Sequence, residues 1–578
     1  MRFRLPIIAA VILAAICAPQ VFAAKDGLVL ASRQTDADGG FGGNDISYVP
    51  SLSADGQFVA FSSSSTNLNA ATRPYLNVFV RDLGTGTTTL ASRQSPGAGG
   101  AGANDTSDYP DLAADAKSVA FESAADNLAT DDNNSVRNIF VRNLATGAMT
   151  TVTKQSSSDG GVGADGDSEL ASISADGRYV AFDSGADNLS TEDNNAVQNV
   201  FVRDLQTNVT TLASRATGTG GGSAGGDGSS DYPSISADGR YVAFESAAAN
   251  LSTEDNNVEN IFVRDLQTNT TILVSRQTAT AGGAGAGSSS YYPAISADGH
   301  RVAYTSDADN LSTEDNDAVT NLFVRDLQAN TTTLVSRQSE AAGGAGGDGN
   351  SAYYIPALSA DGRYIAFNSD ADNLSPDDRN DFTNTFVRDT QDRTTTLVSR
   401  QTPADGGAGA DGDSRYYPSI SADGRYVSFE SKADNLSSVD TPGVDDIFVR
   451  DVLGAPPEPD PGDTTPPGVR TGAKGKQKLG KPIKIVVTSD EAGTATAMGT
   501  ASVKGGGGNR RALAKAKLKF KPATAQLSAG VGTTLTLKPP KRTARRLKHA
   551  KAANAGISLT VTDAAGNETT KALKVKLR

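Results

Sequence analysis

The chain is poor in the residues that most often carry catalysis or cross-links. Its 578 residues include one cysteine, two histidines and no tryptophan. Cys17 lies in an apolar N-terminal stretch, so the exported form is expected to have no disulfide and no thiolate metal site. Behind that stretch no segment approaches the ~18 consecutive apolar residues of a membrane-spanning helix. We therefore expect sheet packing to stabilise the protein and no membrane span.

The N-terminus has the pattern of a secretory signal peptide over residues 1–23. Arg2 and Arg4 precede an apolar run, and small residues around Ala23 offer a cleavage site. A lipid anchor on Cys17 is not favoured, because the residue before it, Ile16, is not small. The sequence predicts an exported protein that is secreted, periplasmic or bound to the cell surface.

The most informative feature is an internal repeat. A turn of the type Ser-Ala-Asp-Gly recurs at intervals of 60 to 63 residues. Each unit contains four short segments in which apolar and polar residues largely alternate, with many β-branched and aromatic side chains, and this is typical of strands. The aspartates of the turns are Asp55, Asp115, Asp176, Asp238, Asp298, Asp361 and Asp423.

The first and last units are incomplete in complementary ways. The seventh unit ends at Ile447 to Val452 without a fourth strand, and a stray copy of that strand, Leu28 to Gln34, opens the chain behind the leader. A ring of four-stranded sheets shares one sheet between the two ends of the chain and leaves only short edges. The fold prediction is all-β, with a seven-bladed β-propeller over residues 24–453 that is closed by its N-terminal strand.

The array resembles the TolB-like, WD-repeat-like family of β-propeller repeats. The resemblance rests on motifs such as Ile-Ser-Ala-Asp-Gly-Arg-Tyr-Val-Ala-Phe at 235–244 and Ile-Phe-Val-Arg-Asp-Leu at 261–266, and it covers roughly residues 28–452. It implies the fold but no activity, because propellers serve as binding proteins, as gating domains of peptidases and as glycan-active enzymes. TolB itself has six blades behind an α/β domain, so its role is not implied for this chain.

The C-terminal part has a different composition. A Pro-rich stretch over 454–468 predicts an extended linker. Residues 469–578 alternate apolar and polar side chains, as in Ile483 to Val487 and Ile557 to Thr562. They predict a small β-sandwich that resembles bacterial immunoglobulin-like domains, with one short helix within 543–553.

The charge is distributed unevenly between the two parts. Residues 469–578 hold 24 Lys or Arg and 4 Asp or Glu, a net charge of +20, and the rest of the chain carries −33. A basic domain on a tether is expected to bind an anionic envelope polymer, with an attraction that weakens in salt. A Lys-rich surface that only aids solubility is the competing interpretation. Specific nucleic-acid binding is not expected, because this domain has a single aromatic residue, Phe520, for base stacking.

The loops between second and third strands carry a recurring Asp-x-Asn/Asp-x-x-x-Asn pattern. Oxygen ligands at alternate turn positions suit Ca²⁺, the one cofactor that the sequence suggests. Alternatively, these side chains close the loops by bonding their own backbone. The loop Asn67 to Arg73 of the first unit has no carboxylate and is expected to bind no metal. The candidate ligands are Asp132, Asn134, Asn138, Asp193, Asn195, Asn199, Asp255, Asn257, Asn260, Asp315, Asp317, Asn321, Asp378, Asn380 and Asn384.

Other motif matches are weak. Residues 160–165 and 406–411 resemble half of an RTX calcium nonapeptide, but that motif works in tandem stacks, so flexible connectors are favoured. Residues 221–225 match a nucleophile elbow and part of a phosphate-loop pattern, yet they lie in a Gly-rich connector. The only imidazole bases, His300 and His549, fall at a turn and in the basic domain. We interpret the nucleophile-elbow and phosphate-loop matches as chance.

In a propeller the long loops of all blades emerge on the same face, where function tends to lie. The leading hypothesis is an exported, monomeric, non-catalytic propeller that binds a protein or glycan on its acidic loop face and is tethered by the basic domain. The alternative is a carbohydrate-active enzyme with carboxylates on the loop face or in the channel. That alternative predicts polar substitutions that are unique to one blade. A purely structural envelope module is the third possibility.

Overall fold

The computed structural model describes residues 26–577 with short gaps. Within the described residues no helix is both long and apolar enough to cross a membrane. The chain divides into two compact units, Met1–Gly454 and Ala455–Arg578. The predicted signal peptide and most of the predicted linker lie outside the described residues and stay predictions. The gaps are 71, 73, 97–99, 131–135, 193–195, 219–224, 255–257, 280–282, 315–318, 379–380, 455–467, 474–476, 490–492, 504–517, 528–532, 549–552 and 564–567.

The first unit is built from short strands joined by turns and loops. Single-turn 3₁₀ helices lie in several connections between blades, at Asp36–Asp38, Ser157–Asp159, Glu340–Ala342 and Pro403–Asp405. The strands are β1 Leu28–Leu30, β2 Ser47–Leu52, β3 Phe58–Ser63, β4 Asn77–Asp82, β5 Thr87–Leu90, β6 Ser107–Leu112, β7 Ser118–Ser123, β8 Asn138–Asn143, β9 Met149–Thr151, β10 Ser168–Ile173, β11 Tyr179–Ser184, β12 Asn199–Asp204, β13 Val209–Leu212, β14 Ser230–Ile235, β15 Tyr241–Ser246, β16 Asn260–Asp265, β17 Thr270–Leu273, β18 Ser290–Ile295, β19 Arg301–Ser306, β20 Asn321–Asp326, β21 Thr331–Leu334, β22 Ala357–Leu358, β23 Tyr364–Ser369, β24 Asn384–Asp389, β25 Thr394–Leu397, β26 Ser419–Ile420, β27 Tyr426–Ser431 and β28 Asp446–Asp451.

In the described part of this unit the strands form four-stranded antiparallel sheets, which we call blades. Blades one to six are β2–β5, β6–β9, β10–β13, β14–β17, β18–β21 and β22–β25, and blade seven has the order β1-β28-β27-β26. In blade seven, Val29 of β1 lies opposite Val449 of β28. The unit is a β-propeller, and the predicted closing role of the N-terminal strand is confirmed.

Hydrogen bonds join the last blade to the first. The Ala422 N–H donates to the Ala54 carbonyl at 2.9 Å, and Ala54 in turn donates to Ala114 of the next blade at 3.0 Å. Nearer the axis the Leu52 N–H donates to Ser419 Oγ at 2.9 Å. The blades therefore close into a ring.

The apolar core lies between neighbouring blades. Phe182 of the second strand and Phe201 of the third are fully buried, with ring centroids 5.9 Å apart. They pack with Ala120 and Val141 of the preceding blade. Successive side chains of a strand point to opposite faces, so each blade contributes one set of residues to each neighbour.

The Arg-Asp pair that ends the third strand has two separate structural tasks. Arg203 is nearly fully buried and donates to the carbonyl oxygens of Lys154 (3.1 Å) and Gln155 (2.8 Å) in the preceding blade. Asp204 accepts two bonds from Arg178 of the Asp-Gly-Arg turn, at 2.9 and 2.6 Å. The arginine therefore links two blades, and the aspartate holds the turn of its own blade.

The second unit consists of two sheets around one apolar core. One sheet has the order β29-β30-β34 and the other β32-β31-β35-β36, with β33 also paired to β31. Ile485 and Leu537 of the first sheet share the core with Leu559 and Val561 of the second. This is a small β-sandwich, and its relation to immunoglobulin-like domains stays a prediction. Its elements are β29 Val469–Ala473, β30 Ile483–Ser489, β31 Gly493–Val503, β32 Leu518–Lys519, β33 Ala523–Leu527, β34 Thr533–Leu537, α1 Lys541–Lys548, β35 Ala553–Asp563 and β36 Glu568–Leu577.

Candidate functional site at the channel mouth

The predicted calcium loops are only partly described. Asp132, Asn134, Asp193, Asn195, Asp255, Asn257, Asp315, Asp317 and Asn380 lie outside the described residues. Within the described part of the chain no three His, Cys, Asp or Glu side chains form a group that could hold a metal ion. The calcium hypothesis therefore stays a prediction.

The last residue of each predicted loop motif begins the third strand and is buried. Asn199 donates to the Val197 carbonyl at 3.1 Å and accepts a bond from Ser214 Oγ of strand four at 2.8 Å. These contacts tie the loop end to the sheet. Corresponding bonds to a Ser or Thr hydroxyl are made by Asn138, Asn260, Asn321 and Asn384. In blade six, Asn384 also donates to Asp378 Oδ1 at 3.0 Å.

Calcium is expected to raise the melting temperature of the full chain by several degrees relative to a chelator, because a cation that binds only the folded state stabilises it. The double variant Asp193→Ala, Asp315→Ala is expected to lose most of this rise. The control Asn69→Ala, in the blade-one loop that lacks carboxylates, is expected to retain it. Equal melting temperatures of the wild type in calcium and in chelator would contradict the prediction.

The first strands of all blades line the central channel. They enclose a cavity of about 280 Å³, and its lining residues include Pro50, Pro110, Pro233 and Pro418. The pairing of first and second strands shifts at a bulge in blades one to five, as between Asp231 and Ser234. A bulge removes one residue from the hydrogen-bond ladder. The residues with positive φ at these bulges are Val49, Tyr109, Leu170, Tyr232 and Tyr292.

Acidic side chains from the preceding blade bind several of the bulged residues. Glu245 Oε2 accepts the Tyr292 N–H at 2.8 Å, and Asp183 Oδ2 accepts the Tyr232 N–H at 3.3 Å. Glu122 Oε2 accepts the Leu170 N–H at 3.0 Å. In each case a carboxyl oxygen of one blade accepts the backbone N–H of a bulged residue in the next blade. These acids therefore lie at the boundary between two blades, beside the channel.

Three consecutive blades carry two carboxyl groups directly opposite each other. The cross-strand pairs are Asp108 with Glu122 in blade two, Glu169 with Asp183 in blade three and Asp231 with Glu245 in blade four. We call these six residues the acidic arc. Like charges at opposed positions destabilise a sheet. A local arrangement that costs stability is typical of a functional site.

Within the blade-four pair, the more deeply buried carboxyl group has the higher pKa. Glu245 is buried, and desolvation raises its pKa to about 8, while its more exposed partner Asp231 has a pKa raised by burial to about 6. Burial also raises the pKa of Asp183 well above its ordinary value. Near neutral pH the blade-four pair therefore combines a protonated acid with a mainly ionised carboxylate.

One arginine lies within the arc. The Arg137 guanidinium is paired with Glu122, and its Nε lies 3.7 Å from Glu169 Oε1. The same position in blade three is Gln198, which donates to Asp183 at 3.0 Å. An arginine therefore pairs with the buried acid of blade two, and a glutamine donates a hydrogen bond to the buried acid of blade three. The blade-four pair has neither of these two contacts.

Tyrosine rings continue around the rest of the mouth. Contacts run from Tyr109 to Tyr417 (5.6 Å between centroids), to Tyr354 (5.0 Å), to Tyr292 (6.1 Å) and to Tyr232 (4.9 Å). We call these five residues the tyrosine chain. It joins the two ends of the acidic arc through blades seven, six and five. Aromatic faces and carboxyl groups thus share one opening.

Sequence reasoning placed function on the loop face but did not single out these residues. Their signal was an acidic residue after the serine that begins strand one and another before the serine that ends strand two, as in Ser230-Asp231 and Glu245-Ser246. Of the weaker matches, residues 221–224 of the stretch 221–225 and His549 lie outside the described residues. The His300 ring lies 5.9 Å from the ring of Tyr241 in the preceding blade, and the Arg240 guanidinium lies 4.6 Å from the same tyrosine ring.

Glu245→Gln is expected to raise the melting temperature at about pH 8 and to leave it nearly unchanged at about pH 5. The pKa of Glu245 is higher in the folded state, about 8, than in the unfolded chain, so stability falls as the pH rises through this interval. The neutral amide removes this loss, which we estimate at about 1–3 kcal/mol.

Thermal unfolding across this pH range measures the effect. Asp204→Asn is the control of opposite sign, because the bond from Arg178 holds the pKa of that carboxyl below its usual range. Its substitution is expected to lower stability at neutral pH, and the wild-type contribution of Asp204 is lost only as the pH falls toward its folded pKa. A Glu245→Gln profile parallel to wild type would contradict the prediction.

No family model and no curated protein matches the chain. Among solved structures it is similar to a putative TolB from Agrobacterium tumefaciens, with 14% identity over 50% of this chain and 80% of that one at a TM-score of 0.31. A prolyl endopeptidase matches at 11% identity over 77% of this chain and 54% of its own, at a TM-score of 0.39. A Trypanosoma rangeli sialidase matches at 10% identity over 84% and 85%, at a TM-score of 0.28.

These comparisons correct one expectation. The prediction that the protein is not an enzyme was wrong, because the similar propellers include a prolyl endopeptidase and a sialidase as well as a putative TolB. The chain spans about half the length of the endopeptidase, 54%. At these identities the likeness concerns the fold alone, so any activity must be argued from the residues at the channel mouth.

Proposed function

We propose that the protein is a carbohydrate-active propeller that binds a glycan at the channel mouth and hydrolyses it. The observation that carries the proposal is the blade-four pair at one end of the tyrosine chain, in which buried Glu245 lies directly opposite the more exposed Asp231. Burial raises the pKa of Glu245 to about 8 and that of Asp231 to about 6, which favours a proton on Glu245. Glycoside hydrolysis ordinarily needs one carboxylic acid and one carboxylate beside the scissile bond.

The chemistry assigns a role to each member of the pair. Glu245 donates its proton to the leaving glycosidic oxygen as the bond to the anomeric carbon breaks. Asp231 takes a proton from the water that attacks this carbon, so that one water molecule is consumed for each bond cleaved. Tyrosine rings near the pair offer flat apolar surfaces to the C–H face of a sugar.

Release of reducing ends from soluble neutral polysaccharides tests the proposal. Glu245→Gln and Asp231→Asn are each expected to lower turnover by roughly tenfold or more. Glu192→Gln is the control, because this carboxyl pairs with Arg215 and is not part of the acidic arc. The proposal fails if the wild type releases no reducing ends from any substrate of the panel, or if both pair variants retain full turnover.

We further propose that the protein is exported and that its second unit holds it to an anionic envelope polymer. The net charge of +20 over residues 469–578 supports this role, and Lys541, Arg542 and Arg545 of α1 are exposed. Full-length protein is expected to elute from immobilised heparin at higher salt than a variant with these three residues changed to Glu. Identical elution of the two proteins would contradict the tether.

A further inference from the structure

The repeat is broken at the first strands of blades six and seven. In blade five, two residues separate Ser290 from Pro293, whereas four separate Ser351 from Pro356 and three separate Ser414 from Pro418. As a result β22 and β26 are each two residues long, compared with six residues in the first strands of the other blades. The inserted residues leave the sheet at the channel mouth.

The inserted segments line a pocket at the channel mouth. Its cavity measures about 330 Å³, which is in the range of small-molecule sites, roughly 300–1,000 Å³. Tyr354 and Tyr416 approach to 4.7 Å between ring centroids, with their planes tilted by 46°. We call this the tyrosine pocket, and its lining residues are Tyr353, Tyr354, Asn368, Asp370, Thr383, Arg415 and Tyr416.

A buried amide orders both inserted segments. Asn368 is 1% exposed, and its Oδ1 accepts the Tyr353 N–H at 3.1 Å. Its Nδ2 donates to the Tyr416 carbonyl at 3.3 Å. The corresponding position in blades two to four is one of the buried acids, as in Glu245. The substitution by Asn supplies a donor as well as an acceptor, as the two segments require.

The polar groups of the pocket are also positioned. Asp370 accepts a bond from the Tyr353 hydroxyl and another from Thr383 Oγ1, the latter at 2.6 Å. Arg415 also lines the pocket, and its exposed guanidinium lies 2.8 Å from Asp413. The arginine charge is thus balanced by carboxylates, and the pocket offers paired donors and acceptors without a strong excess charge.

We propose that the tyrosine pocket binds one uncharged pyranose unit of the glycan on which the channel mouth acts, an inference that rests on the function proposed above. The C–H face of such a ring packs on Tyr354 and Tyr416. Its vicinal hydroxyls both donate and accept, and so match a carboxylate such as Asp370 and a guanidinium such as Arg415. A sugar acid is disfavoured because Asp370 and Asp413 are close to its binding position.

The chain offers a matched control for the test. Thr320 Oγ1 donates to Asp307 in blade five at 2.7 Å, which repeats the bond from Thr383 to Asp370 in blade six. Only Asp370 lines the tyrosine pocket. Asp370→Asn and Asp307→Asn therefore remove the same kind of charge from the same position in two blades.

Calorimetric titration of the full chain with maltohexaose, cellohexaose, chitohexaose and mannohexaose tests the inference. At least one neutral oligosaccharide is expected to bind, and Asp370→Asn and Tyr353→Phe are expected to weaken it by roughly tenfold. Asp307→Asn is expected to bind as the wild type does. Failure of all four probes to bind, or equal affinity of Asp370→Asn and wild type, would overturn the inference.

The outcomes separate this inference from the proposed hydrolysis. Glu245→Gln is expected to lose turnover and keep the wild-type affinity for the bound oligosaccharide, because the tyrosine pocket lies in other blades. Turnover that depends on Glu245 but not on Asp370 would overturn only the proposal that the tyrosine pocket binds the glycan. Oligosaccharide binding that depends on Asp370, without any turnover, would support glycan binding in the tyrosine pocket and overturn the proposal that the protein hydrolyses glycans.

Discussion

Removal of residues 26–34 is expected to destabilise the propeller by about 4 kcal/mol or more, because each buried aliphatic side chain contributes roughly 1.5–3 kcal/mol and each backbone hydrogen bond about 1 kcal/mol. Leu30 is buried in blade seven, and the Ala31 N–H donates to the Ile447 carbonyl at 2.7 Å. Nearly fully buried Arg450 also donates to the Asp26 carbonyl at 3.0 Å. Loss of the segment therefore exposes β28 and leaves a buried cation without one of its acceptors.

Thermal unfolding of the truncated chain measures this loss, and a rearranged chain tests its cause. Moving residues 26–34 to a position behind Leu453, joined by a short flexible linker, supplies the same strand from the other end. The rearranged protein is expected to recover most of the melting temperature if the strand acts only by closing the ring. An unchanged melting temperature after truncation would show that blade seven does not need its fourth strand.

Gly239→Ala is expected to cost about 3 kcal/mol, more than the same change at Gly177, because a Cβ at Gly239 meets a ring as well as an unfavourable φ. Gly239 has φ +72°, and its Cβ would lie 2.1 Å from Tyr179 Cδ2 in the preceding blade. At Gly177 φ is +71°, but the facing residue is Ser118 at 3.3 Å. The difference between the two variants isolates the contact between turn and ring.

Chemical denaturation of the two variants and of Gly239→Ala, Tyr179→Ser measures this difference. The double variant reproduces the contact found at Gly177, so it is expected to lose less stability than the sum of its two single changes. Equal destabilisation at Gly239 and Gly177 would assign the whole cost to the backbone. The prediction about the aromatic contact would then be wrong.

Strand positions and the closing order could be read directly from the chain. The period-two pattern around Tyr241 to Ser246 and the stray strand Leu28 to Gln34 both lie within short stretches of sequence, and local patterns of this kind reflect local backbone preference. The short helix at Lys541–Lys548 also begins close to the predicted span. The calcium loops could be read as a pattern as well, but four of the five first positions of the motif, all except Asp378, lie outside the described residues. That hypothesis awaits the melting experiment.

The composition of the channel mouth was decided only by the tertiary structure. Asp231 and Glu245 become a pair because a bulge after Asp231 sets the register of β14 on β15. Tyr109 and Tyr417 meet because ring closure brings blade seven next to blade one and the axis close to every first strand. The sequence by itself determined which segments are strands and which end closes the ring, since those follow from local periodicity and repeat spacing. Which carboxyl groups face each other, and which insertions open a pocket, depend on register and on contacts between blades that no local pattern encodes.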